Sequence, residues 1–314
     1  MSSSPLLSIA VPVYNRETLI GRCLRSILNQ DFRDYEILVY DDGSSDNSVQ
    51  AVRRFDDPRI KLKVGGVNRG INAAWNTLFD MASAAWMIVM GSDDEFLPGS
   101  LDTAYRRTRD LPADVVCAKF NVKWDTGLES PQPPYREEIL DYVGFIAQME
   151  SQTAGEGMTM RRTWLREEFR LVEDRSNEAL YILNVAKKYK TATFPEFTRL
   201  YHTDAPNQTT KFLSLAEVLQ RAPDVARASD AMLEAHGEAL AKYAPRIYEG
   251  MRIGAARQYF VAGQRKAGWN MVANLLSERA MRPQLVAQAM LGTVSPTLLA
   301  SLYVARRWLR TRGI

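Results

Sequence analysis

The sequence predicts an α/β protein: a mostly parallel central sheet flanked by helices, followed by an all-helical C-terminal appendage. Three observations carry this. Short, almost wholly apolar runs alternate with amphipathic stretches through about residue 120. A composition of 46% hydrophobic and 25% charged residues over 314 positions is that of an ordinary globular protein. Beyond Phe212 the strand candidates stop and helix formers take over.

The elements follow in order. Leu7-Ser-Ile-Ala-Val-Pro-Val13 is apolar enough to be a buried strand, and residues 17–30 bring Leu19, Ile20, Cys23, Leu24, Ile27 and Leu28 back at helical spacing. A second strand is expected at 36–40, a helix from about 47 to 55, an alternating strand at 60–64, a helix from about 70 to 84 and a fourth strand at 86–90. Strands separated by single helices imply right-handed crossovers, so the loops after the strands share one edge of the sheet. The expected division is a first domain over 1–212, with halves of about 5–120 and 121–212, and a helical region over 213–314. Helices are expected there at 213–233, 239–262, 265–277, 284–291 and 297–312, punctuated by Pro223, Pro245, Pro283 and Pro296.

Composition excludes several classes. A formal net charge of +3 is too small for a nucleic-acid footprint, so no nucleic-acid partner is expected. Cys23 and Cys117 are the only cysteines, both within expected regular structure, and read as reduced thiols of a cytoplasmic protein. Neither a charged leader with an apolar core nor a membrane-spanning segment is expected. There is no G-x-x-x-x-G-K-[ST], and Gly65-Gly66-Val-Asn-Arg-Gly70 has the wrong spacing for a dinucleotide fingerprint.

What the shared edge does collect is polar. Tyr14-Asn15 follows the first strand, Asp41-Asp42-Gly43-Ser44 the second and Ser92-Asp93-Asp94 the fourth. The two acidic clusters each have a plain structural reading: Asp46 or Ser45 as the cap of the helix from Asn47, and Asp93-Asp94 as the acidic start of a helix near Pro98. Convergence favours a ligand site, and carboxylates bind phosphate through a divalent cation, Mg²⁺ or Mn²⁺.

Four ordered motifs carry a resemblance. Ser8-Ile-Ala-Val-Pro-Val-Tyr-Asn15, Tyr35-Glu-Ile-Leu-Val-Tyr-Asp-Asp-Gly-Ser-Ser-Asp46, Asn68-Arg-Gly70 and Gly91-Ser-Asp-Asp94 resemble the motif series of family 2 glycosyltransferases of the GT-A fold. The likeness extends over about residues 5 to 212, taking in Gly157-Met-Thr-Met-Arg-Arg162, Glu173-Asp174 and Arg199-Leu-Tyr-His202. It implies a nucleotide-sugar donor site formed by Pro12, Tyr14, Asn15, Asp41, Asp42, Asn68, Arg69 and Asp93, with Asp42 favoured over Asp41 for the base. It further implies Asp94, with Asp93, as metal ligand for Mn²⁺ or Mg²⁺, and Asp174 as the catalytic base. His202, at the end of the last expected strand, is a further candidate for the metal or the phosphate. Gly91 departs from the commoner pattern, where an Asp stands, and removes one carboxylate.

The resemblance implies an inverting glycosyltransferase using a nucleotide-diphosphate sugar, UDP-linked by expectation. The acceptor is a saccharide or lipid-linked saccharide in bacterial surface polysaccharide or glycolipid assembly. The alternatives are a catalytically inactive nucleotide-sugar-binding module and a sugar nucleotidyltransferase, whose expected glycine- and lysine-rich loop after the first strand is missing from this sequence. No acidic residue follows Glu278, while Arg279, Arg282, Arg306, Arg307, Arg310 and Arg312 accumulate. The helix at about 297–312 is therefore expected either to lie on the inner face of the cytoplasmic membrane or to pack on its own domain or a second subunit as a homo-oligomer. His236 reads as a surface residue between two helices.

Overall fold

The computed structural model describes residues 4–152, 157–174, 178–205, 214–278 and 283–311. The chain divides into two compact units, one of residues 1–174 and 181–205, the other of 175–180 and 206–314.

The first unit opens with β1 (Leu7–Val13), α1 (Ile20–Leu28), β2 (Tyr35–Asp41), α2 (Ser48–Arg53), β3 (Ile60–Val64), α3 (Ile71–Met81) and β4 (Trp86–Val89). β1 and β2 are buried almost throughout because apolar helices cover both faces. Ile9, Val11, Ile37 and Val39 pack toward Cys23, Leu24 and Ile27 of α1. Ala10, Leu38 and Tyr40 pack toward Trp75, Leu78 and Phe79 of α3. β3 alternates in exposure because it is the sheet edge. Next come β5 (Glu95–Phe96), α4 (Ser100–Thr108), β6 (Val115–Trp124), β7 (Glu129–Ser130), β8 (Glu138–Leu140), α5 (Tyr142–Ser151), β9 (Met158–Arg162), a 3₁₀ turn at Thr163–Glu167, α6 (Ala179–Lys188) and β10 (Lys190–Tyr201).

The ten-stranded sheet has the order β3-β2-β1-β4-β9-β6-β10-β5, with β7 on β6 and β8 on β10. β3, β2, β1 and β4 are mutually parallel, as the apolar runs predict. The sheet becomes mixed at β9, which runs antiparallel to both β4 and β6. A short element differs from expectation: Glu95 and Phe96 form a strand paired with Leu200 and Arg199 of β10. The acidic pair therefore lies in a turn between two strands, and the first turn of α4 carries Asp102 instead.

The second unit is helical: α7 (Leu215–Tyr243), α8 (Pro245–Val261), α9 (Arg265–Ser277), α10 (Pro283–Val294) and α11 (Pro296–Thr311). Two expectations are corrected here. α7 is one helix of 29 residues that carries Pro223 inside it and runs through the expected break at 234–238, and the chain breaks instead at Ala244, within the expected 239–262 helix. His236 is buried at 1% exposure, because the helix runs through 234–238 and Gly237 turns its bare side to Tyr248 of α8. Ser214 and Glu217 start α7 with a reciprocal capping box. Ala222, Phe260, Val261, Val272, Leu275, Leu299 and Ala300 share the core of this unit. Among the described residues no helix is long and apolar enough to cross a membrane.

Candidate active site

The loop after β1 is built around Asn15, the one non-glycine residue with positive φ (53°) among the described residues. Asparagine tolerates that region, and its side chain hydrogen-bonds locally. Its N–H donates to Ser44 Oγ at 2.9 Å and its Oδ1 accepts from Ser45 N–H at 2.9 Å, tying the β1 loop to the β2 loop. Pro12 sits opposite Tyr40 in the register, and Tyr14 is left exposed at the rim.

The second loop separates its acids by role. Asp46 lies one residue before Asn47, the N-cap of α2, rather than at the cap itself, and its Oδ1 accepts from Ser48 N–H at 2.9 Å, which gives it a local structural role at the helix start. Asp41 and Asp42 do something else. Asp42 is buried and accepts from Arg69 N–H at 3.1 Å and Gly70 N–H at 2.8 Å, clamping the loop after β3; burial nonetheless raises its pKa. Asp41 Oδ1 accepts from Ser44 N–H at 3.0 Å, while its buried Oδ2 has no hydrogen-bond partner among the described residues. Gly43 has φ +75°, and a methyl group there would stand 2.7 Å from the Val67 carbonyl carbon, so only glycine lets these two loops meet. Asn68 follows at the same contact, with its side chain exposed.

The β3 loop reaches the segment that carries Asp174. Arg69 pairs with Glu173. Asn76 of α3 grips the same segment: its Nδ2 donates to Leu171 O at 2.9 Å and to Glu173 Oε1 at 3.2 Å, and its Oδ1 accepts from Leu171 N–H at 3.1 Å. Asn72, one turn earlier, donates to Val172 O at 2.9 Å. Asp174 follows directly, half-buried.

The β4 loop is ringed by cations. Asp94 is buried; its Oδ1 accepts from the His202 backbone N–H at 3.1 Å, and its Oδ2 lies 3.6 Å from Arg199. Burial pushes its carboxyl up to about 6; Arg199 opposes the rise and Asp93 adds to it. Arg16 lies 3.8 Å from the Asp93 carboxylate, and Arg22 donates to Asp93 O at 2.6 Å and pairs with Asp204 at 2.9 Å. A methyl group at position 91 would stand 2.7 Å from Asp94 Oδ2 and 3.0 Å from Asp93 Oδ1. The glycine that removes one carboxylate thus leaves open the space on which two others converge. The imidazole of His202 turns elsewhere: Nε2 is 2.7 Å from Glu95 Oε1 and Nδ1 is 3.7 Å from Asp125. Among the described residues no group of three or more His, Cys, Asp or Glu forms a cage for a metal ion.

The loops after β1, β2, β3 and β4, the 171–174 segment and the end of β10 are thus linked by direct contacts into one edge. The family model of glycosyl transferase family 2 matches residues 8–180. The chain belongs to this family. Its fold is the GT-A fold, with a helical C-terminal region. A relative from Campylobacter jejuni, the GalNAc(5)-diNAcBac-PP-undecaprenol beta-1,3-glucosyltransferase, is 39% identical over 114 residues, which span 35% of this chain and 37% of that protein. The chain thus matches little more than a third of that curated relative's length. Staphylococcus aureus TarS 1–349 in complex with UDP-GlcNAc superposes with TM-score 0.60 at 17% identity, covering 95% of this chain and 91% of TarS. The mannosyltransferase PcManGT of Pyrobaculum calidifontis, in complex with GDP-Man and Mn²⁺, superposes with TM-score 0.54 at 18% identity, covering 96% of this chain and 87% of that one.

Sequence reasoning left out the residues that organise this family 2 site: Arg16, Arg22, Asn72, Asn76, Glu173 as a partner of Arg69, and Arg199. Asn72 and Asn76 carried a signal, being amides four apart on either side of the apolar Ala73, Ala74 and Trp75 of α3. Arg199 carried none, since its partner lies more than a hundred residues away.

Proposed function

We propose that the protein is an inverting, divalent-cation-dependent glycosyltransferase that moves a sugar from a nucleoside diphosphate, UDP by preference, to a hydroxyl of a saccharide or lipid-linked saccharide acceptor. The observation that carries this reading is the Gly91–Asp94 turn: Asp94 is buried, and its Oδ2 and Asp93 Oδ1 both face the space that Gly91 leaves empty. Two carboxylates suit Mn²⁺ or Mg²⁺, which takes its other oxygens from phosphate and water instead of an all-protein cage. Asp94 and Asp93 would hold the cation, without the ring of His202. When bound, the ion supplies positive charge against the departing diphosphate.

The other roles follow from position. Tyr14, exposed beside Pro12, offers a face to the base. Asp41 Oδ2, buried and lacking a partner among the described residues, is the better acceptor for a base or ribose donor, because both Asp42 oxygens already take backbone N–H groups. Asp42 then acts by holding the 68–70 loop, and Asn15 by holding the 44–45 turn. Arg69 and Asn68, on the loop after β3 that Asp42 holds, would contact the sugar phosphate. Asp174 takes the proton of the attacking acceptor hydroxyl, at the end of the segment held by Asn72 and Asn76. The lipid-linked class of acceptor is supported by the undecaprenol-linked substrate in the Campylobacter relative's name, and UDP by the TarS complex.

The test is release of nucleoside diphosphate from a panel of nucleotide sugars. Turnover that needs Mn²⁺ or Mg²⁺ and is lost in Asp94→Ala supports the enzyme. Tight, cation-independent binding without turnover would favour an inactive binding module.

A further inference from the structure

The second unit ends in a helix pair with an uncharged outer face. α10 and α11 are joined at Ser295–Pro296. Ser295 N–H donates to Leu291 O at 2.8 Å, Leu299 N–H to Ser295 O at 3.1 Å, and Leu298 N–H to Ser295 Oγ at 3.2 Å. One side of the pair is committed to the core. Ala289, Leu299 and Ala300 are buried with Phe260, Val272 and Leu275. Gly292 is fitted so closely that an added methyl group would stand 2.6 Å from Phe260 Cβ and 2.8 Å from Leu299 Cδ2. That packing fixes which side faces outward.

The outward side carries Met290, Val294, Leu298 and Leu302, exposed by 59%, 81%, 49% and 53%. They recur every four residues across the junction. No Asp, Glu, Lys or Arg occurs anywhere from Pro283 to Ala305. Single exposed apolar side chains are ordinary on a soluble surface; an unbroken uncharged face bearing four large ones marks a contact surface. The charge around it selects the partner. Arg279 and Arg282 precede the uncharged stretch in sequence, Arg306, Arg307, Arg310 and Arg312 follow it, and no acidic residue occurs after Glu278. A second copy would bring the same cations against these. An anionic lipid headgroup complements them, and an uncharged apolar stretch flanked in sequence by arginines is the composition of a helix lying in the membrane interface.

We propose that α10 and α11 dock on an anionic bilayer surface, seating Met290, Val294, Leu298 and Leu302 at the boundary between headgroups and acyl chains. The docking face thus begins in α10, ahead of the 297–312 segment marked by sequence alone. The proposal deepens the lipid-linked-acceptor reading and rests on it for its purpose, though not for its geometry.

The test is flotation of the full chain with vesicles of phosphatidylcholine, alone or mixed with phosphatidylglycerol. The wild type is expected to float with the mixed vesicles, to release as salt rises and to stay unbound with phosphatidylcholine alone. Val294→Glu/Leu298→Glu changes two exposed positions, is expected to keep the wild-type circular dichroism, and should weaken vesicle binding at least tenfold. Equal flotation of the two proteins overturns the proposal. So does a wild-type dimer in sedimentation that the double variant dissociates, which would give the face to a second copy. Nucleoside diphosphate release, measured without lipid, separates the two readings: flotation with no turnover on any donor sinks the enzyme and keeps the docking face, whereas turnover with no flotation does the reverse.

Discussion

Replacing Asp94 by asparagine should change the pH dependence of stability in a calculable way. Burial pushes the Asp94 carboxyl from 3.8 up to about 6, which corresponds to about 3 kcal/mol at 1.36 kcal/mol per unit. Because the folded-state value is raised, the native state holds the proton between about pH 4 and 6 and the unfolded chain does not. The contribution of Asp94 to stability is therefore greatest below about 4, falls as pH rises through about 6, and carries the whole penalty above that. The substituted amide would keep the acceptor for His202 N–H, and the attraction of Arg199 at 3.6 Å, present only while Asp94 is ionised, is already contained in the shift. The readout is the difference in melting temperature between variant and wild type, measured with chelator from pH 4 to 8. It should shift in the variant's favour by roughly 6–12 °C across that range, taking about 2–4 °C per kcal/mol for a unit of this size. At pH 7.5, Mn²⁺ should raise the wild-type melting temperature and leave the variant unmoved. Parallel pH curves would refute the reasoning, because they would mean that Asp94 is ionised in the fold at no cost.

Two further substitutions probe the same edge. Asn76→Ala leaves the buried Leu171 N–H and C=O without their partners, so urea unfolding should show a loss of about 2–4 kcal/mol. Turnover should fall about 10–100-fold as the Asp174 segment loosens, with nucleoside diphosphate affinity little changed. Gly91→Ala puts a methyl group into the space between the two carboxylates. The fold should survive, since the obstructing atoms are side-chain tips, while calorimetry should show Mn²⁺ affinity reduced about tenfold; unaltered affinity would remove that space from the proposed cation site.

The parallel half of the sheet was legible because β1, β2 and β4 are apolar runs that have nowhere to be except inside, with helices of the right length between them. The acidic clusters were legible for the same reason, as loops after strands that share an edge. Glu95–Phe96 was not, since two residues form a strand only because β10 pairs with them. Arg199 was opaque in kind, and although Asn76 stood out as a polar residue its partner did not: both contacts span about a hundred residues, which no local pattern encodes. His236 misled because an Ala- and Glu-rich stretch resembles a surface, whereas its burial follows from the packing of α7 on α8 at Gly237. Gly91 was ambiguous in another way, since a lost carboxylate and a cleared space read identically in one dimension.

Asp174→Asn tests the account most directly, with turnover and donor affinity measured on the same preparation. Removing a general base while keeping its shape should lower transfer to an acceptor by about 10²–10⁴-fold and leave nucleoside diphosphate affinity within about twofold. Transfer at the wild-type rate would contradict the assignment of Asp174, and with it the placing of acceptor chemistry beside the segment that Asn72 and Asn76 hold.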